Sequence, residues 1–206
     1  GPAEIKEVAA FLMTPAGAAI ASLTISGNFI FGSKNRGAYL GDNTQVHDVD
    51  KDQSGWNNLC EQLKVSNITS FTASYIGMGP VALRTLATSL PAVLNSVTLD
   101  STGVMKDEYG GTGQGTQKTY TLTVGEEKID LSKKNLGSAD VALVATWLQR
   151  PEVRATVADL NISEAIIGDA GPSLVDAISS STALNFITIG KGLRLPLKDN
   201  YDSDVL

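Results

Sequence analysis

The sequence predicts an α/β solenoid: parallel strands side by side on one face, helices on the other, and two β-hairpin insertions. Two observations carry this. The first is a recurring order of helix end, proline, apolar filler and short strand. TPAGAAIASLTIS (14–26) matches RPEVRATVADLNIS (150–163) in residue type, and LPAVLNSVTLD (90–100) is a third copy. The second is a spacing. Apolar strand cores at Leu23/Ile25, Phe71/Ala73, Val97/Leu99, Ile129/Leu131, Leu160/Ile162 and Ile187/Ile189 lie about 48, 26, 32, 31 and 27 residues apart. Such a period fits one strand plus one helix per unit, with an insertion in the long first gap. Each unit has an apolar edge that it cannot bury alone, and stacking neighbours buries it. A doubly wound parallel sheet uses the same alternation of elements and is the rival reading.

The elements follow in order. AEIKEVAAFLM (3–13) places Ile5, Val8, Phe11 and Leu12 on one helical face, and Pro15 lies just beyond it. Further helices are expected over 79–90, 138–149 and 171–179. Two of these open with Gly-Pro (Gly79-Pro80, Gly171-Pro172). Proline is welcome there because a helix's first N–H groups have no intrahelical partner.

The insertions span about 28–49 and 101–128. In the first, Phe29-Ile30-Phe31 and Ala38-Tyr39-Leu40 flank Asn35-Arg36-Gly37, a hairpin signal. In the second, Thr119 to Val124 alternates as a strand and 109–117 reads as a glycine-rich tip. Both leave directly after a strand, so both are expected to project from one rim, a natural working surface.

The strings IDLSKKNLGSADVALVATWL, LNISEAIIGDAGPSLVDAI and FTASYIGMGPVALRTLATSL resemble the ribonuclease-inhibitor-like class of leucine-rich-repeat proteins. Paired Leu/Ile strand positions, a polar turn with Asn135, and "LG/IG" leading into a helix carry the resemblance. It covers about three-quarters of the chain. It departs at Glu164-Ala165 and Ser74-Tyr75, which lack the turn asparagine, and between Leu99 and Ile129, where no helix is visible. The resemblance implies a leucine-rich-repeat solenoid over 3–197 with five or six irregular units, and a polar, acidic tail over 198–206.

A net charge of −6 over 206 residues argues against nucleic acid or an anionic membrane as the main partner. No apolar run approaches the roughly 20 residues that span a bilayer. Gly1-Pro2 reads as a protease scar, and the single Cys60 excludes an internal disulfide framework.

The sharpest local pattern is DKDQSGWNNLCE (50–61). A calcium loop of the EF-hand type wants oxygen ligands at positions 1, 3 and 5, glycine at 6, a carbonyl at 7, a polar residue at 9 and glutamate at 12. Asp50, Asp52, Ser54, the Trp56 carbonyl, Asn58 and Glu61 meet those needs, and Asp48 adds a nearby carboxylate. Asn57 stands where an aliphatic residue belongs, and no helix precedes the loop. The same stretch also reads as an acidic turn and a helix capped by Ser54 or Asp52, with Glu61 solvated.

Other chemistry is sparse. GGTGQG (110–115) lacks the lysine and the following helix of a phosphate loop. His47 is the only histidine, and Cys60 falls on an apolar helix face with Leu59 and Leu63. Zinc and nucleophilic catalysis therefore have no constellation to use. The strand face away from the helices should show Ser22, Thr24, Thr72, Thr98, Asp130, Asn161 and Thr188, without the Trp, Tyr and Arg that anchor protein interfaces. Phe29, Phe31, Tyr39, Tyr109 and Tyr120 of the insertions are the candidate partner surface; packing onto the core is the other reading of them.

The expectation is a non-enzymatic leucine-rich-repeat binding or scaffold domain from a larger protein, with calcium as a candidate structural ion. The alternative is a calcium-dependent recognition module for protein or sugar, acting through 28–61. The expected partners are proteins and neighbouring repeats of a longer chain.

Overall fold

The computed structural model describes residues 1–35, 46–47, 49–106, 112–114 and 117–197. From the N-terminus run α1 (Pro2–Leu12), α2 (Pro15–Ala18), β1 (Ser22–Thr24), β2 (Lys34–Asn35), β3 (Val46–His47), α3 (Ser54–Lys64), β4 (Ser70–Ala73), α4 (Pro80–Ala87) and β5 (Ser96–Asp100). Then come β6 (Val104–Lys106), β7 (Thr112–Gln114), β8 (Thr119–Thr123), β9 (Lys128–Asp130), α5 (Ser138–Leu148), α6 (Pro151–Thr156), β10 (Asp159–Asn161), α7 (Gly171–Ser180), β11 (Phe186–Ile189) and β12 (Leu193–Pro196). Prolines sit in the first turn of α1, α2, α4, α6 and α7, where a missing N–H costs nothing.

The expected leucine-rich-repeat solenoid, one curved sheet of successive parallel strands, is not what the chain forms. The strands make two four-stranded sheets, ordered β1-β4-β5-β8 and β12-β11-β10-β9. Each holds three parallel strands and one antiparallel strand. Within each sheet the strand cores stand in register, Leu23↔Phe71↔Val97 in one and Ile129↔Leu160↔Ile187 in the other. The run breaks because the second insertion returns along β5 as β8, with Leu99 opposite Tyr120 and Val97 opposite Leu122. That strand takes up the backbone groups a parallel neighbour would need. The architecture is mixed α/β with two mostly parallel sheets.

The seam between β8 and β9 is bridged by side chains instead of a ladder. Lys118 Nζ donates to the Lys133 carbonyl at 2.8 Å, and Lys134 Nζ to the Thr119 carbonyl at 3.0 Å. At the opposite rim the Arg150 guanidinium holds the carbonyls of Pro91, Ala92 and Leu94 at 2.7–3.1 Å, tying the second half of the chain to the turn before β5.

The helices form a layer in which α1 packs on α3, α4 on α5, and α5 on α7. Central α5 buries Val141, Leu143, Val144, Trp147 and Leu148, so apolar residues surround most of it. One continuous cluster of buried side chains joins this layer to both sheets. The other sheet face carries Ser22, Thr24, Thr72, Thr98 and Thr121 on the first sheet and Asp130, Asn161 and Thr188 on the second, all at least partly exposed. Contrary to expectation, that face also holds an arginine and an aromatic ring. Arg194 lies 4.1 Å over Phe186 and pairs with Asp159 at 3.0 Å. The register Thr188↔Arg194 places them there, because antiparallel β12 brings a residue that the strand period of the sequence does not reveal.

Both insertions form antiparallel hairpins, in other places than the local pattern suggests. The first pairs Lys34 with His47 and Asn35 with Val46; Phe29–Phe31 is a turn, not a strand, and 38–40 lies outside the described residues. The second pairs Val104–Lys106 with Thr112–Gln114, so part of the expected glycine-rich tip is strand. Glycine's lack of a side chain weakens the strand signal there without forbidding the pairing.

Candidate functional site

The two hairpins root on one loop, residues 74–79, which follows β4. From the first insertion, the Ser33 hydroxyl and the Asp50 N–H both donate to the Gly77 carbonyl, at 3.5 and 3.2 Å. From the second, Gln117 Nε2 donates to the Met78 carbonyl at 3.1 Å. Asp100, at the end of β5, accepts from the Tyr75 N–H and from Thr119 Oγ1.

Asp50 does a further job. Its two carboxylate oxygens accept from Gly79 N at 2.7 Å and Val81 N at 2.8 Å. These N–H groups open α4, whose N-cap Gly79 has no side chain to satisfy them. A negative charge at a helix N-terminus is favoured by the helix dipole. Asp50 is therefore a cap supplied from 29 positions away, and it clamps the first insertion to the helix. A Cβ on Gly79 would sit 2.5 Å from Asp50 Oδ2, so the approach requires glycine.

The root of the second hairpin closes on Asp140, a carboxylate with no exposed surface. Its Oδ2 accepts from Thr102 N (2.8 Å), Thr102 Oγ1 (2.6 Å) and Gly137 N (2.8 Å), and its Oδ1 from the Tyr120 hydroxyl (2.9 Å). Burial pushes the Asp140 carboxyl above its ordinary value and the four donors pull it partly back. Burial, followed by the charge of Asp140, pushes the Tyr120 hydroxyl well up, so it stays a donor. Ser101 and Lys118 exchange bonds at 3.0 Å across the stem. Gly103 lies so close to Asn135 that a Cβ would meet its carbonyl at 2.1 Å. The crevice between the two roots, lined by Met78, Gly79, Pro80, Ser101 and Gln117, is too narrow for a small molecule.

Two of the five rings expected on a partner surface lie inside the protein instead. Phe31 is fully buried with its ring 5.4 Å from that of Trp56, and Tyr120 is buried on Asp140. Phe29 is half-buried, and Tyr39 and Tyr109 lie outside the described residues. The physical reason is shared: a ring at the base of a projecting hairpin is the nearest apolar group for filling the gap beneath it.

The candidate calcium stretch runs from a turn into α3. Residues from Ser54 onward are α3, so Ser54, Trp56, Asn58 and Glu61 follow a helical path and not the wrap of a loop. Asp52 Oδ1 accepts from Ser54 N at 2.9 Å, which holds that carboxyl below its usual range. Asn58 and Glu61 are exposed, the Trp56 side chain is buried, and Asp48 lies outside the described residues. Among the described residues no three His, Cys, Asp or Glu side chains converge. Cys60 is buried, and burial pushes its thiol up to about 12.

Asp50→Ala removes two charge-assisted acceptors from α4. A loss of about 1–2 kcal/mol is expected, equal in EGTA and in millimolar calcium. Thermal melts in the two buffers check this. A wild-type melting temperature that rises with calcium, and no longer rises in the variant, would show that an ion is held there.

Sequence reasoning missed Asp140. The signal was present in LGSAD: an acid three residues beyond the N-cap Gly137, the place from which a side chain reaches back to the N-cap N–H. No protein-family model matches the chain, and a search of curated proteins finds no match. Among the described residues no helix is long and apolar enough to cross a membrane.

Proposed function

We propose that the chain is a non-enzymatic binding or scaffold domain whose working surface is the rim from which the two hairpins project. One observation carries this reading: both hairpins are rooted on Gly77 and Met78, so two separate insertions are held as one unit. Cross-linking of the roots lowers the entropy a partner's binding would otherwise have to remove. The closed crevice supports a macromolecular contact over a small ligand. The carboxylates support a structural role, because buried Asp100 and Asp140 and half-buried Asp50 spend their oxygens on donors within the chain.

The test is positional. A photo-crosslinking residue is placed at Lys34 or Lys106 on the hairpins, or at Thr72 on the exposed sheet face. Adducts formed in cell extract are expected from the hairpin positions. Adducts equally abundant from Thr72, or found only there, would move the working surface to the sheet.

A further inference from the structure

We infer that the seam between β8 and β9 is a slot for an extended peptide: a strand-forming segment of a partner lies between them and joins the two sheets into one. The residues involved belong to the sheets, so this stands apart from the rim reading.

Only residues 124–127 connect β8 to β9. At the other end Lys118 and Thr119 meet Lys133 and Lys134, so the two strands run side by side in opposite directions. Strands joined by so short a turn ordinarily pair as a hairpin. These two do not. β8 closes one sheet and β9 the other, and no backbone bond among the described residues joins them.

The pairing pattern identifies the groups left over. Ser101 N donates to the Lys118 carbonyl, and Val124 N to that of Asn95. By alternation Tyr120 and Leu122 also bond to β5, and the backbone groups of Thr119, Thr121 and Thr123 point away from it. On β9, the Glu127 carbonyl and the Leu131 N–H bond to β10. Ile129 therefore faces β10 as well, and the backbone groups of Lys128 and Asp130 point away from it. Lys134 Nζ serves the Thr119 carbonyl. The N–H and C=O groups of Thr121, Thr123, Lys128 and Asp130 remain as two open rows along the seam. Thr121, Lys128 and Asp130 are exposed and Thr123 is half-buried, so a solute can reach these rows.

An extended main chain carries the same alternation of donors and acceptors on both of its edges, and so matches both rows at once. The side chains on either side set its sequence pattern. Tyr120, Leu122, Ile129 and Leu131 are buried beneath the strands, so the segment's inward residues are apolar. Its outward residues lie beside Thr121 and Asp130 and are polar. The turn at 124–127 closes one end of the slot. Lys118 and Lys134 close the other with flexible side chains, which can withdraw without breaking either ladder.

Amide exchange read by two-dimensional NMR tests this. In the free chain the amides of Thr121, Thr123, Lys128 and Asp130 are expected to exchange at least about tenfold faster than those of Tyr120, Leu122 and Ile129. The probe is the neutral peptide acetyl-Thr-Val-Thr-Val-Thr-amide at millimolar concentration. It should slow the first four amides by at least about tenfold and leave the outer edges of β1 and β12 unchanged. The same peptide N-methylated at both valines lacks the donors of one edge and should protect none of them. Thr121→Pro removes a seam donor without touching the β5 ladder and should weaken binding at least about fivefold. Lys128→Pro, at the first residue of β9, is a second variant of this kind. Four amides already protected in the free chain, no slowing with the peptide, or equal slowing at β1 and β12 each overturns the proposal. So does undiminished binding of the N-methylated peptide, or a folded proline variant that binds as tightly as wild type.

Discussion

Asp140→Ala is expected to destabilise the chain by about 3–5 kcal/mol, because it leaves buried donors without an acceptor. Two backbone N–H groups, Thr102 and Gly137, and two hydroxyls, Thr102 and Tyr120, converge on this one carboxylate. A water trapped in the space left behind accepts from about two of these four donors, not from all of them. In a chain of this length each kcal/mol shifts the melting temperature by about 2–4 °C. Tyr120→Phe removes only one donor and should cost about 0.5–1.5 kcal/mol. The difference between the two variants, read by urea denaturation, tests whether the carboxylate organises the hairpin root. A melting temperature for Asp140→Ala within a degree or so of wild type would contradict it.

Trp56→Ala should cost about as much, roughly 3–5 kcal/mol. The indole is fully buried, with ring centroids 5.4 Å from Phe31 and 6.4 Å from Phe71, and its Nε1 donates to the Ala82 carbonyl at 2.9 Å. It therefore joins the root of the first insertion, α3, β4 and α4 through a single side chain. Trp56→Phe keeps a ring but not the donor and should lose about half as much. Hydrogen exchange adds a spatial readout: amides at Phe31–Ser33 should lose protection in Trp56→Ala before those of α5. Equal protection in variant and wild type would show that the first insertion does not lean on this ring.

What the sequence revealed followed the range of the interaction. The helices of α1, α4, α5 and α7, and the registered cores Phe71, Val97, Ile129 and Leu160, were legible because period and proline position are local signals. The split into two sheets was not. It depends on which strand β5 accepts as its neighbour, a choice made by the path of a 28-residue insertion, and the alternation in TYTLT (119–123) is the same in either direction. The candidate site divided likewise. The shared rim could be argued from where the insertions leave the strands, and the cap at Asp52 from its spacing to Ser54. The fate of the aromatic rings could not, since burial of Phe31 and Tyr120 depends on Trp56 and Asp140, which are distant in the chain.

The side-chain bridging of the seam has a consequence for how such a molecule can change. Within a ladder, a one-residue slip turns every side chain to the wrong face. Lys118 and Lys134 reach across on long flexible stems and grip carbonyls without fixing any alignment of β8 with β9. Length differences in the connection between β8 and β9 can be absorbed there, while the Tyr120–Asp140 bond and the Arg150 clamp keep the two halves together.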